Sequence, residues 1–135
     1  MSSNIAPSIL HSDLIALTSN TNDTFVVLAS APSAGQILAV YVTNGATIVG
    51  DTSNNRVFEL LNGTVSMASI TTDTPTTDDI AANAKYAVTL STTTANRKFA
   101  AGDTLTFSVS DNGTGPALTA PARVEIHYLI GAQAN

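Results

Sequence analysis

Two histidines, His11 and His127, occur in the 135 residues, and there is no cysteine or tryptophan. These counts confine the chemistry the chain can offer. A nucleophilic triad would need one histidine to meet a serine hydroxyl and an orienting carboxylate, yet no G-x-S-x-G elbow or comparable context surrounds any serine. His127 falls on the polar parity of a strand-like segment and reads as a surface histidine flanked by cross-strand partners; His11 reads as structural or solvated. Glycoside hydrolysis needs two carboxyl groups about 5 to 10 Å apart across a groove. Three Tyr, four Phe and no Trp provide little aromatic lining for one. Asp73, Asp78 and Asp79 share one polar stretch, but the D-x-[DN]-x-[DN]-G spacing of a calcium loop is missing, so that stretch reads as a solvated loop. Asp103, following Gly102, reads as a carboxylate that bonds nearby backbone N–H groups to fix a turn. Without thiolates there is neither a disulfide framework nor a Cys-based metal site. These residues predict a protein that is not an enzyme and holds no cofactor and no metal.

The elements that would position those side chains are strands. Asn96 to Gly113 contains the plainest of them: Leu105, Phe107 and Val109 alternate with Thr104, Thr106, Ser108 and Ser110, the pattern of a half-buried β-strand. It ends at Asp111-Asn112-Gly113, where Asn-Gly is expected to supply the positive φ angles of a tight turn. Thr24 to Ser30 and Gln36 to Thr43 are apolar on both parities and read as central strands covered on two sides. Ala46 to Val49 reads as a short strand. Arg56 to Leu61 passes through Asn62-Gly63 into Val65 to Ile70, a hairpin signature. Thr71 to Asn83 reads as a loop crossing between sheets. Lys85 to Leu90 presents Tyr86, Val88 and Leu90 on one face, and Ala122 to Ile130 presents Val124, Ile126, Tyr128 and Ile130. About eight or nine strands, with turns about every 8 to 12 residues, predict an all-β chain: a single antiparallel β-sandwich, jelly-roll-like, with an N-terminal extension.

Residues 1–23 form that extension and residues 24–135 the sandwich domain. Ile5, Ile9, Leu10, Leu14, Ile15 and Leu17 are set among Ser, Asn and Asp with no settled period. They are the candidate protein-interface residues, either packing on their own domain or docking as an arm on a neighbouring subunit. The segment lacks the n-region and h-region of a signal peptide, and no window approaches the ~20 apolar residues of a membrane span, which predicts synthesis in a cytosol and no membrane partner.

Charged residues make up 11% of the chain against 44% hydrophobic, and the usual charged share is about 25%. The polar surface must therefore be built from Thr, Ser and Asn. The formal charge is −5, and the cations Arg56, Lys85, Arg97, Lys98 and Arg123 never cluster beyond a pair in sequence. Phosphate neutralisation requires a basic face and base stacking requires aromatics, so no nucleic-acid partner is expected.

Several phrases together resemble a known group. They are the Phe25-Val26-Val27 opening strand, Ala31-Pro32-Ser33-Ala34-Gly35-Gln36 running into ILAVYVT, Phe58-Glu59-Leu60 before Asn62-Gly63-Thr64, and Phe99-Ala100-Ala101-Gly102-Asp103-Thr104-Leu105 before an alternating strand. From Phe25 to Ile130 this resembles the small β-sandwich structural proteins of tailed bacteriophages, most of all the capsid decoration or cement proteins. The resemblance implies a jelly roll, a homo-oligomer with a trimer favoured, and the major capsid protein as partner. It also implies a virion location on the capsid surface after synthesis in the host bacterial cytoplasm, and no catalytic residues. The alternative is a receptor- or carbohydrate-binding module of a tail fibre or baseplate, for which the absence of Trp is unfavourable.

Overall fold

The structure is a computed structural model that describes residues 8–11, 22–113 and 122–130. Nine strands follow in order: β1 (Ser8–His11), β2 (Asp23–Leu28), β3 (Gly35–Asn44), β4 (Asn55–Asn62), β5 (Val65–Thr71), β6 (Lys85–Leu90), β7 (Lys98–Phe99), β8 (Leu105–Asn112) and β9 (Ala122–Ile130). No α-helix occurs among the described residues; a single 3-10 turn at Thr94–Arg97 precedes β7. The strands form one antiparallel sheet in the order β1-β9-β3-β6-β5-β4-β8-β2, with β7 added beside β3, and the sheet curls into a half-barrel. Between its halves β5 and β6 pair through Ala68↔Leu90 and Ser69↔Thr89, and the Ser91 N–H donates to the Met67 carbonyl oxygen beside them. The halves enclose a single core. Ile37, Val40, Val42, Val124 and Ile126 come from one half, and Phe58, Leu60, Leu105, Phe107 and Val109 from the other, all at most 2% exposed.

The period-2 alternation of β8 produces the burial it predicts: Leu105, Phe107 and Val109 point inward because successive side chains of a strand take opposite faces. β3 departs from expectation in an informative way. Its pairing with β9 shifts between Ile37 and Ala39; this bulge changes the inward parity from Ile37 to Val40 and Val42 and leaves Leu38 exposed. What reads in the sequence as a strand covered on two sides is a strand with one core face and a bulge. β2 is likewise not central. Among the described residues it pairs with β8 alone, and Val26 on its outer side is 60% exposed.

The turns also differ from the Asn-Gly reading. Asn44, Asn62 and Asn112 are each the last residue of a strand, and none of them adopts a positive φ; in the Asn62-Gly63 and Asn112-Gly113 pairs the glycine does, at φ +60° and +75°. In the β4–β5 hairpin Asn62 pairs with Val65, so Gly63 and Thr64 make the turn. Gly63 alone has φ +60°, as the type II′ turn requires at its first central position. The 46–49 segment is reduced to a bridge between Ile48 and Ile80. Ile80 is fully buried, so the polar stretch from β5 to β6 is pinned to the core at one point.

β7 is short because its task is local. Phe99 packs across Gly35, where a Cβ would stand 2.2 Å from the Phe99 ring and 2.6 Å from the Leu129 carbonyl oxygen. Gly35→Ala is expected to lower stability by about 1–3 kcal/mol through overpacking. Urea unfolding checks this, and an unchanged midpoint would show that β7 can give way freely.

Candidate functional site on the outer face of β9, β3 and β6

The register of three strands builds the site. Tyr41 of β3 lies opposite Glu125 of β9 and Ala87 of β6, and Thr43 lies opposite both Arg123 and Lys85. Because Val40, Val42, Val124 and Ile126 face the core, the alternate residues Tyr41, Thr43, Arg123, Glu125 and His127 face outward. There Lys85 Nζ is 2.7 Å from Glu125 Oε2, and His127 Nε2 is 3.1 Å from Glu125 Oε1. The Tyr41 and His127 rings meet edge-on, with centroids 5.3 Å apart and planes at 65°. Lys85 Nζ sits 4.9 Å from the Tyr41 centroid, in cation–π range. The Lys85 hydrogen bond, assisted by that of His127, holds the Glu125 carboxyl below its usual value despite partial burial.

Chemically the cluster is a set of mutually satisfied groups. Glu125 and His127 share a hydrogen bond, and among the described residues no serine or threonine hydroxyl bonds His127. What the face offers is a partly covered aromatic centre with cations around it. Lys98, opposite Gln36 at the far end of β3, and Arg123 are both exposed. Three of the chain's five cations therefore lie along this face, and Glu125, bonded to Lys85, lies among them. The remaining carboxylates of the described residues lie in the other half or in the connecting loops. The outward parity of Arg123, Glu125 and His127 is visible in the sequence; the addition of Tyr41 and Lys85 depends on strand order.

The expected interface residues divide. Ile9 and Leu10 belong to β1, which pairs with β9 through Ser8↔Tyr128, Ile9↔His127, Leu10↔Ile126 and His11↔Glu125. Ile9 is 52% exposed beside this face, whereas Leu10 packs against the core. Ile5, Leu14, Ile15 and Leu17 lie outside the described residues.

Asp103 does what its position after Gly102 predicts. Its Oδ2 accepts hydrogen bonds from the Ala100 backbone N–H at 2.8 Å and from Asn62 Nδ2 at 2.7 Å. Gly102, at φ +89°, occupies the position of a type II turn that needs positive φ. The corner also holds the β2–β3 connection, because Ala31 N–H donates to the Asp103 carbonyl and Gly102 N–H to that of Ala31. These bonds, that of Ala100 first and then that of Asn62, lower the Asp103 pKa from its usual 3.8. A depressed carboxylate pKa stabilises the fold above the unfolded-state value, and the contribution is lost as pH falls through the folded-state value. Asp103→Asn is accordingly expected to reduce the Tm at neutral pH and to flatten its decline below about pH 4. Parallel acid-titration slopes in the two proteins would contradict this.

In the polar loop the carboxylates likewise serve their own backbone. Asp79 Oδ1 accepts from Gly50 and Thr76 N–H, and Asp78 Oδ2 from Thr74 N–H. No group of three metal-ligating side chains occurs among the described residues.

No local sequence pattern marks the charged pair at the end of the core. Arg56 and Asp111 sit on the inward parity of β4 and β8, directly opposite each other, and form an ion pair at the end of the core. The Arg56 side chain is fully buried and that of Asp111 10% exposed. Desolvation lowers the Arg56 pKa, while Asp23 of β2 acts in the opposite sense; the guanidinium remains charged.

Fold and face together define a small antiparallel β-domain with an aromatic, cation-rimmed outer face. No protein-family model matches the chain, and no curated protein or solved structure is significantly similar to it. No helix among the described residues is long and apolar enough to cross a membrane.

Proposed function

We propose that the chain is a non-enzymatic structural protein of a tailed-phage particle. It binds the outside of the assembled capsid as a homo-oligomer, in the jelly-roll-like manner of the decoration proteins its sequence resembles. The observation that carries the reading is the segregation of charge: an acidic chain presents Lys85, Lys98 and Arg123 around Tyr41 and His127 on one face. Such a face has the anatomy of a protein-docking surface, an aromatic centre within a polar rim. The partner is the major capsid protein, through an acidic patch on its exterior. Ile9, exposed beside His127, extends the apolar centre. A specific contact would cover roughly 1,200 Å² or more, and binding the assembled shell but not its dissociated subunits stabilises the shell by mass action.

Capsids prepared with and without the protein, imaged by electron microscopy and challenged by heat, test the reading. Wild-type chain should decorate the shell and raise its heat resistance, and Lys98→Glu with Arg123→Glu should abolish decoration while leaving the circular dichroism spectrum intact. Bare shells with wild-type protein, or full decoration by the double variant, would refute it. A clear hit on a glycan array would instead favour a carbohydrate-binding role.

A further inference from the structure

Three strands end on the asparagine of an Asn-Gly pair, and the structure separates the three sites by environment. Asn44 is fully buried and its Nδ2 donates to the Ala46 carbonyl oxygen. Asn112 is exposed at the end of β8. Asn62 lies between these extremes: it is half-buried, its Nδ2 donates to Asp103 Oδ2 at 2.7 Å, and Gly63 follows at an exposed hairpin tip. No atom stands within 4 Å of the place a Gly63 Cβ would occupy. Asn-Gly is the sequence in which the following backbone nitrogen most easily reaches the side-chain amide, because glycine has no side chain to obstruct the approach and the freest backbone.

We propose that Asn62 is a self-modification site restrained by Asp103, and that its conversion to aspartate or isoaspartate releases the corner joining the β4–β5 hairpin to the β7–β8 turn. In the first step the Gly63 backbone nitrogen, giving up its proton, attacks Cγ of Asn62. The new C–N bond closes a cyclic imide as the Cγ–Nδ2 bond breaks, and Nδ2 departs as ammonia with that proton. Water then opens the imide at either carbonyl, leaving aspartate or isoaspartate.

The consequence follows from the contact the amide makes before it leaves. Asn62 supplies a donor to a carboxylate; aspartate puts a second carboxylate at the same place, whereas isoaspartate routes the main chain through Cγ, so that the donor is lost and the backbone gains a methylene beside Gly63. Like charges at hydrogen-bond distance disfavour each other's ionised form, and Asp103 keeps only the Ala100 N–H of its two donors. The loosened corner is the one that holds Ala31, between β2 and β3. The same hydrogen bond ties the Asn62 amide to Asp103, and the restraint on the reaction acts through that tether, since attack on Cγ needs the side chain free to take up the approach geometry.

The full chain and its Asp103→Ala variant, incubated at mildly alkaline pH, provide the test, with peptide mass mapping at residues 44, 62 and 112. Deamidation at Asn62 should be severalfold faster in the variant while that at Asn112 is unchanged and Asn44 stays intact. A general loosening of the fold would instead accelerate all three, and that result, or an unchanged rate at Asn62, overturns the proposal. Asn62→Asp, which creates the product carboxylate directly, should lower the Tm more than Asn62→Gln, which retains a donor. Equal Tm values for these two variants would overturn the coupling to Asp103. None of these readouts depends on what the outer face binds.

Discussion

Arg56→Ala is expected to destabilise the fold by about 3–5 kcal/mol, the usual cost of removing one partner of a buried ion pair. Arg56 is fully buried on the inward side of β4, facing Asp111 of β8, with the negative charge of Asp23 within electrostatic range. Deleting the guanidinium leaves the Asp111 carboxylate in a site with little access to water, and leaves a cavity where the arginine stem packed. The backbone around Arg56 is tied in as well: its N–H donates to Thr72 Oγ1 at 3.0 Å and its carbonyl accepts from Thr72 N–H at 2.9 Å. The Asp111 N–H donates to Asn22 Oδ1 just before β2, so the loss should be felt first in faster hydrogen exchange at the start of that edge strand. Urea unfolding measures the effect. The informative control is Arg56→Met with Asp111→Leu, which should recover most of the loss, because an apolar replacement of a buried pair is often neutral or stabilising. A cost under about 1 kcal/mol for Arg56→Ala would mean that water reaches this end of the core.

Phe107→Ala is expected to cost about 3–5 kcal/mol, the range for deleting a buried aromatic side chain. Phe107 is 1% exposed on β8, paired with Phe25 of β2 and Leu60 of β4, and its ring lies 6.2 Å from that of Phe58 at 34°. With β8 held on both sides, the cavity has little means of collapse. Phe25 is the natural comparison. It carries the same side chain on the neighbouring edge strand and is only half-buried, so Phe25→Ala should cost clearly less. Chemical denaturation of both variants ranks them, and equal losses would show that the β2 edge is covered as firmly as the core.

The two predictions mark where the sequence is legible and where it is not. Phe107 belongs to an alternation that can be read directly, because every second residue of a strand faces the same way and β8 has no bulge. Asp103 is legible for a similar reason: its bond to the Ala100 N–H follows from a short-range turn, whereas the Asn62 amide reaches it only because the β4–β5 hairpin, far off in the chain, comes alongside. Arg56 and Asp111 were hidden in plain parity. Arg56 stands two residues before Phe58 and Asp111 two after Val109, so each belongs to a core row, but nothing local reveals that β4 lies beside β8 and that one charge will find the other. β3 misled because the bulge at Leu38 places apolar residues on both parities. β2 misled because an apolar strand reads as central whether or not a second neighbour covers it.

For the outer face the division is similar. The outward row Arg123, Glu125 and His127 is written in the alternation of β9. That Tyr41 meets His127 edge-on, and that Lys85 reaches Glu125, depends on β3 lying between β9 and β6, and strands adjacent in the sheet are far apart in the chain. The sequence by itself determined the all-antiparallel character, the inward rows of β8 and β9 and the turn chemistry at Gly102-Asp103, because these depend on side-chain periodicity and backbone sterics within a few residues. The tertiary structure alone decided the order of strands, the buried Arg56–Asp111 pair and the gathering of Lys85, Lys98 and Arg123 on one face. Those arise from pairings between distant segments, selected by how the whole sheet curls over a common core.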